Sequence, residues 1–208
     1  MIAMAKVTTR SIRARLTRQD PKMGRLIRNM KHPAPGRHSD LYLALLQSIM
    51  SQQLSGKAAD TIIGRFLDLF PGRYPKPRLL AKMSVARLRT AGVSRQKAGH
   101  LQSVARFELR HGFDHRIIQR MTDEEVIQHL TQIKGVGRWT AEMMLMFPLD
   151  RPDVFSAGDL GIQNAMKKLY GLRCHGRALA ERMTRLAESW RPYRSAACKY
   201  LWMSRDSD

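Results

Sequence analysis

The sequence predicts an all-α fold, and three observations carry that expectation. Apolar residues recur at helical spacing, as in Ala58, Ile62, Phe66 and Phe70. Residues suited to helix caps stand at the starts of such runs, as Asp40, Ser94 and Thr122 do. Only Val154 and Phe155 hint at a strand, and they read as extended loop. With 208 residues, 43% of them hydrophobic, the chain can bury one compact core or two lobes sharing a cleft.

The elements follow in order. Residues 1 to about 35 read as a basic, partly mobile arm whose end is marked by Pro33 and Pro35. Asp40 is placed to cap a helix over 41–50, and a second helix runs from Gly56 towards Phe70, ending before Pro71. Pro71, Gly72, Pro75 and Pro77 mark a loop. A short amphipathic helix is expected over 79–90, stopping at Gly92, and another from Ser94 to Gly112. Thr122-Asp-Glu-Glu125 is a capping box ahead of Val126, Ile127 and Leu130. A glycine hairpin comes next. Four further helices are expected over 137–147, 158–170, 176–190 and 192–203. The whole reads as a single domain over 1–208: the arm, a middle helical lobe over 36–133, the hairpin and catalytic region over 134–162, and C-terminal helices over 163–203.

Charge narrows the partner. There are 37 Lys and Arg against 17 Asp and Glu, a formal net charge of +20. Such a surplus repels itself unless a polyanion relieves it, and nucleic acid is the first candidate. The charge is spread: residues 1–39 carry ten basic side chains and one acid, Asp20, while residues 73–120 carry twelve and two acids, Glu108 and Asp114. A disordered basic tail would have gathered it in one block. No long apolar run or anchor motif suits a membrane. Cys174 and Cys198 form no CxxC pair, which argues against a disulfide framework or a zinc site, and two cysteines cannot hold a four-cysteine cluster. The start, Met1-Ile-Ala-Met-Ala, lacks the apolar core of a signal peptide, so a cytoplasmic, nucleoid-associated location is expected.

Four constellations bear on chemistry. The first is the hairpin Lys134-Gly135-Val136-Gly137. Glycine lets backbone approach another group, and Gly137 opens a helix whose N–H groups form an anion site. Lys134 and Arg138 flank it with positive charge, and Val136 can plug the turn into the core. An ordinary inter-helix turn would also fit Gly-x-Gly alone. The second is Asp159, 20 positions after Trp139. Ser156 and Asp159 have S-x-x-D spacing, so an acid in a first helical turn is the plain reading. A developing sugar cation would need an ionised carboxylate at such a place. The third is Ser51-Gln52-Gln53-Leu54-Ser55 at a helix junction, where a long polar side chain can enter a base stack or simply face water. The fourth is the aromatic set Trp139, Trp190, Tyr193, Tyr200 and Trp202, suited to base stacking or to packing; for Trp190 and Tyr193, packing is the better reading.

These residues carry a resemblance. Residues 133–141, Ile-Lys-Gly-Val-Gly-Arg-Trp-Thr-Ala, with Asp159 in Gly-Asp-Leu-Gly-Ile, are similar to the helix-hairpin-helix, Gly-Pro-Asp superfamily of DNA glycosylases, and within it to the 3-methyladenine DNA glycosylase II branch. Ser51-Gln-Gln-Leu-Ser-Gly-Lys-Ala-Ala59 resembles that branch's wedging loop, and Trp190-Arg-Pro-Tyr-Arg-Ser-Ala-Ala197 with Trp202 resembles its C-terminal helix. The match spans roughly residues 38–203. The resemblance implies a two-lobed helical fold with a DNA-binding cleft between the lobes; length and helicity leave no room for the N-terminal sheet domain of larger relatives. It implies Asp159 as the catalytic carboxylate, Gln53 as the minor-groove wedge with Ser55 beside it on DNA, and Lys134, Gly135, Gly137 and Arg138 on phosphate. Trp139, Met143 and Trp202 would form the base pocket. No cofactor is required, though a Na+ or K+ ion is expected to bridge hairpin backbone at Gly135 and Gly137 to phosphate.

The implied activity is monofunctional: flipping of alkylated purines of the 3-methyladenine type from double-stranded DNA by a monomer, and hydrolysis of the N-glycosidic bond to leave an abasic site. Two departures stand out. Ala157-Gly158-Asp159 lacks the family's proline, which predicts a less rigid loop, and Met143 replaces an aromatic found in some relatives. Lyase relatives carry a nucleophilic lysine where this chain has Trp139, which argues against strand cleavage. The competing readings are a non-catalytic helix-hairpin-helix binding module and a bifunctional glycosylase/lyase.

Overall fold

A computed structural model describes residues 8–33, 40–54 and 56–204. Among them, regular structure is helical throughout and no strand forms. The chain divides into two compact units, one of residues 1–36 with 150–208, the other of residues 37–149.

The second unit holds the middle of the chain. α3 (Leu41–Ser51) starts where Asp40 accepts a hydrogen bond from the Leu43 N–H. α4 (Gly56–Asp68) follows, and a single 3-10 turn at Pro71–Arg73 occupies the expected proline loop. The helix expected over 79–90 is in fact two, α5 (Pro77–Lys82) and α6 (Val85–Arg89). Met83 is extended and Ser84 caps α6 through the Arg87 N–H, so the cap residue interrupts an apolar pattern that looked continuous. α7 (Arg95–His111) is capped by Ser94 and ends at Gly112, as expected. α8 (His115–Arg120), capped by Asp114, was not expected; six residues are too few to show a period. α9 (Asp123–Thr131) has the full capping box between Thr122 and Glu125. α10 (Arg138–Met146) completes the unit. α7 packs on α3, α5 and α6, and α10 packs on α3 and α9, around Leu45, Ile49, Phe66, Leu101, Val104 and Leu130, all fully buried.

In the first unit, the expectation of a partly mobile basic arm fails for the described residues 8–33. They form α1 (Thr9–Gln19) and α2 (Pro21–Ile27). Thr8 caps α1, and the Asp20-Pro21 pair ends it and starts the next. Leu16, Met23 and Ile27 are fully buried. Asp20, 8% exposed, ties the arm to the far end of the chain. Its Oδ1 accepts the N–H groups of Lys22 and Met23, and its Oδ2 accepts the Tyr170 hydroxyl at 2.5 Å and the Trp190 indole at 2.9 Å. Burial pushes the Asp20 carboxyl up, but the Tyr170 hydroxyl and the other donors outweigh it, and the net shift is downward. Residues 1–7 and 34–39, including Pro35, lie outside the described residues.

After Asp150 the chain supplies α11 (Leu160–Tyr170), α12 (Gly176–Ala187), a 3-10 turn at Glu188–Trp190, and α13 (Arg194–Met203). Val154 and Phe155 are extended loop. Ser195 at the start of α13 anchors that loop, donating to the Arg151 carbonyl and accepting from the Val154 N–H. Arg194 adds a paired contact with Asp153. These ties set the path of the chain into α11 and so place Asp159.

Candidate active site

Asp159 stands at the N-cap of α11, one position outside the helix rather than inside its first turn. The S-x-x-D reading therefore changes: the cap is the aspartate itself, and Ser156 contributes its carbonyl to the Asp159 N–H. Oδ1 of Asp159 accepts the Ile162 N–H at 2.8 Å. The same oxygen accepts the indole N–H of Trp202, also at 2.8 Å, from the last turn of α13. Asp159 is 7% exposed and Trp202 half-buried. α11 and α13 pack directly together, so a helix contact fixes this pair across 43 positions of sequence. The absent proline does not leave the loop loose. Gln163 Nε2 holds the Ala157 carbonyl at 2.9 Å, and the Asp159 N–H closes a turn onto Ser156. A carboxylate held by two N–H donors at a positive helix end is suited to stabilising a cation rather than to donating a proton.

The hairpin belongs to the other unit. Its turn closes by a bond from the Val136 N–H to the Ile133 carbonyl, and Val136 is buried, as its apolar side chain predicted. The two glycines differ in kind. Gly135 has φ +95°, and a Cβ there would clash with the His100 ring, so both conformation and packing demand glycine. Gly137 has φ −94° and open space around any added Cβ. Nothing among the described residues requires glycine there; close approach of an external group would. As the N-cap of α10, Gly137 also brings no side chain to cover the positive end of that helix.

Lys134 is exposed beside the turn. Arg138 is not the bare cation that the sequence suggested. Glu124 takes it in a two-pronged pair at 3.0 and 2.9 Å, and Glu142 takes its Nε at 3.1 Å. The Glu124 pair is exposed, of the kind a phosphate can displace. Trp139, 38% exposed, and buried Met143 are four residues apart on α10 and so share a face. The turn's own residues, 133–137, bring no carboxylate. Neutral backbone carbonyls fit Na+ or K+ rather than a divalent ion. Among the described residues, no three His, Cys, Asp or Glu side chains come together as a metal site.

Gln53 lies in the turn between α3 and α4, exposed and with φ +59°. Ser55 lies outside the described residues. Of the aromatic set, Trp190 and Tyr200 are core residues; Trp190 serves Asp20, and Tyr200 meets His32 Nδ1 at 2.6 Å. Sequence reading missed Asp20 as a structural tie; its local signal was the Asp-Pro step. No described helix is long and apolar enough to cross a membrane.

Known proteins resemble this chain in sequence and in fold. Residues 46–192 match the family model described as HhH-GPD superfamily base excision DNA repair protein. The chain is 35% identical over 190 residues to DNA-3-methyladenine glycosylase 1 of Schizosaccharomyces pombe, covering 88% of this chain and 82% of that protein. A solved S. pombe 3-methyladenine DNA glycosylase in complex with abasic DNA superposes with a TM-score of 0.83 at 33% identity, over 92% of this chain and 94% of the other. A DNA-3-methyladenine glycosidase from Bacillus halodurans superposes with a TM-score of 0.78 at 35% identity, over 92% and 88%.

Proposed function

The chain belongs to the HhH-GPD superfamily of base excision DNA repair proteins, and from that premise we propose that it is a monofunctional DNA glycosylase. It acts as a monomer on double-stranded DNA, flips out alkylated purines of the 3-methyladenine type, and hydrolyses the N-glycosidic bond. The observation that carries this reading is the buried Asp159 carboxylate held by the Ile162 N–H and the Trp202 indole. The relatives named above, 3-methyladenine glycosylases over most of their length, support the substrate class.

The chemistry follows from charge. A purine alkylated at a ring nitrogen carries positive charge and leaves readily. As its bond to the anomeric carbon breaks, the electron pair neutralises the base and the sugar becomes cationic. Asp159 stabilises that cation and orients water, whose oxygen bonds to the anomeric carbon as its proton passes to the Asp159 carboxylate and on to solvent. One carboxylate suffices because the leaving group needs no acid. Gly137 and the N-terminus of α10, with Lys134 nearby, take a phosphate, and Arg138 joins once it leaves Glu124. A Na+ or K+ ion would be held by the turn's carbonyl oxygens and would add positive charge beside that phosphate. Gln53 fills the gap in the stack while the nucleotide is out, at a cost of about a few kcal/mol. Trp139 and Met143 offer the base an aromatic face and a polarisable one.

A panel of single-lesion duplexes, scored for abasic sites, tests the reading. Release of 3-methyladenine with no covalent adduct on borohydride treatment is expected, since Trp139 stands where a lyase carries lysine. Tight binding to every duplex with release of no base would support a non-catalytic module instead.

A further inference from the structure

The conformation of Gln53 needs a cause. A non-glycine residue at φ +59° costs free energy, and helices that end this way usually place glycine there. The peptides around Gln53 are tied down. Lys97, near the start of α7, donates from Nζ to the Met50 carbonyl at 2.8 Å and to the Gln52 carbonyl at 2.7 Å. Those oxygens lie at the negative end of α3, where an ammonium is favoured. Gln52 Nε2 reaches the buried Thr140 hydroxyl on α10 at 3.3 Å, and the Leu54 N–H returns to the Ser51 carbonyl. Burial pushes the Lys97 amine down, as its Nζ turns from water to these two carbonyls. Lys97 and Thr140 thus brace the turn from two neighbouring helices, and Gln53 stands exposed between braced peptides.

We propose that Lys97 is a positioning residue for base flipping: its two bonds to the end of α3 hold Gln53 in the left-handed conformation from which it enters the base stack. The proposal rests on the reading of Gln53 as the residue that fills the stack.

The test uses the full chain and a duplex bearing a tetrahydrofuran abasic analogue beside 2-aminopurine, whose fluorescence reports insertion into the gap. Gln53→Ala is expected to lose the fluorescence change. Lys97→Met is expected to lose at least fivefold of it, while binding to an undamaged duplex stays within twofold. Lys97→Arg, whose guanidinium can reach both carbonyls, is expected to recover most of it. The double variant Gln53→Ala, Lys97→Met should be no worse than Gln53→Ala. A general loss of structure would instead lower binding to both duplexes and add in the double variant, which overturns the proposal. So does a wild-type fluorescence change in Lys97→Met when Gln53→Ala has lost it. Retention of the change by Gln53→Ala overturns the stack-filling role itself and is read separately. If Lys97→Met does not fold, Lys97→Gln, shorter and uncharged, replaces it with the same outcomes.

Discussion

Asp159 does two jobs with one oxygen. Oδ1 accepts the Ile162 N–H as a helix cap and the Trp202 indole as a tertiary tie. The structural role and the proposed chemical role therefore do not compete; the cap fixes the carboxylate's orientation. Trp202→Phe keeps the ring and deletes the N–H. Excision is expected to fall by about 10- to 100-fold through misplacement of the carboxylate, with DNA affinity unchanged; single-turnover kinetics beside a binding isotherm checks both. Asp20 is the other residue with a legible energetic role. Asp20→Ala strands the Tyr170 hydroxyl and the Trp190 indole and is expected to cost roughly 3 kcal/mol in chemical denaturation at neutral pH. Because the folded-state pKa of Asp20 is depressed below its ordinary 3.8, the part of the wild-type advantage that needs the ionised carboxylate is present above about pH 4 and fades as pH falls through the folded value. Denaturation of both proteins across pH 2–7 should show the gap between the two stabilities narrow at the acid end.

Among the elements, the hairpin separates a glycine that the packing requires from one with open space around it, which the proposal gives to a phosphate. Gly135→Ala meets the His100 ring and an unfavourable φ, and is expected to lower the melting temperature by roughly 5–10 °C. A Cβ at Gly137 meets nothing among the described residues, so Gly137→Val should lower melting only by the loss of a favoured cap residue, less than Gly135→Ala does, and should weaken binding to any DNA. Calorimetry and a binding titration on the two variants distinguish these effects. The elements that were readable in sequence are those with both a cap and a period: α3 behind Asp40, α7 behind Ser94, α9 behind its capping box. α1 and α2 escaped because their exposed faces are so basic that the few buried positions, Leu16, Met23 and Ile27, do not stand out. The split between α5 and α6 turns on a single cap, Ser84, inside an apolar run. Motifs named Asp159 and the hairpin glycines, but not their partners. Trp202 lies 43 positions from Asp159, and Glu124 lies 14 from Arg138, distances over which no local pattern speaks.

For the whole molecule, the charge of +20 is the dominant physical fact. Binding to undamaged duplex is expected to weaken steeply with salt, with a log–log slope of about −4 to −7 for roughly five to eight neutralised phosphates. A slope near zero would rule out phosphate contact as the main source of affinity. In the proposed mechanism, base removal is a separate matter, assigned to the buried Asp159 carboxylate rather than to the surface charge. Asp159→Asn isolates it, since the amide oxygen can still accept the Ile162 and Trp202 N–H groups and so keep the helix cap. Single-turnover release of 3-methyladenine from methylated duplex, measured for Asp159→Asn beside binding to an abasic-analogue duplex, should show release slowed by about 100- to 1000-fold or more with binding retained. Release at the wild-type rate would contradict the assignment of the chemistry to Asp159.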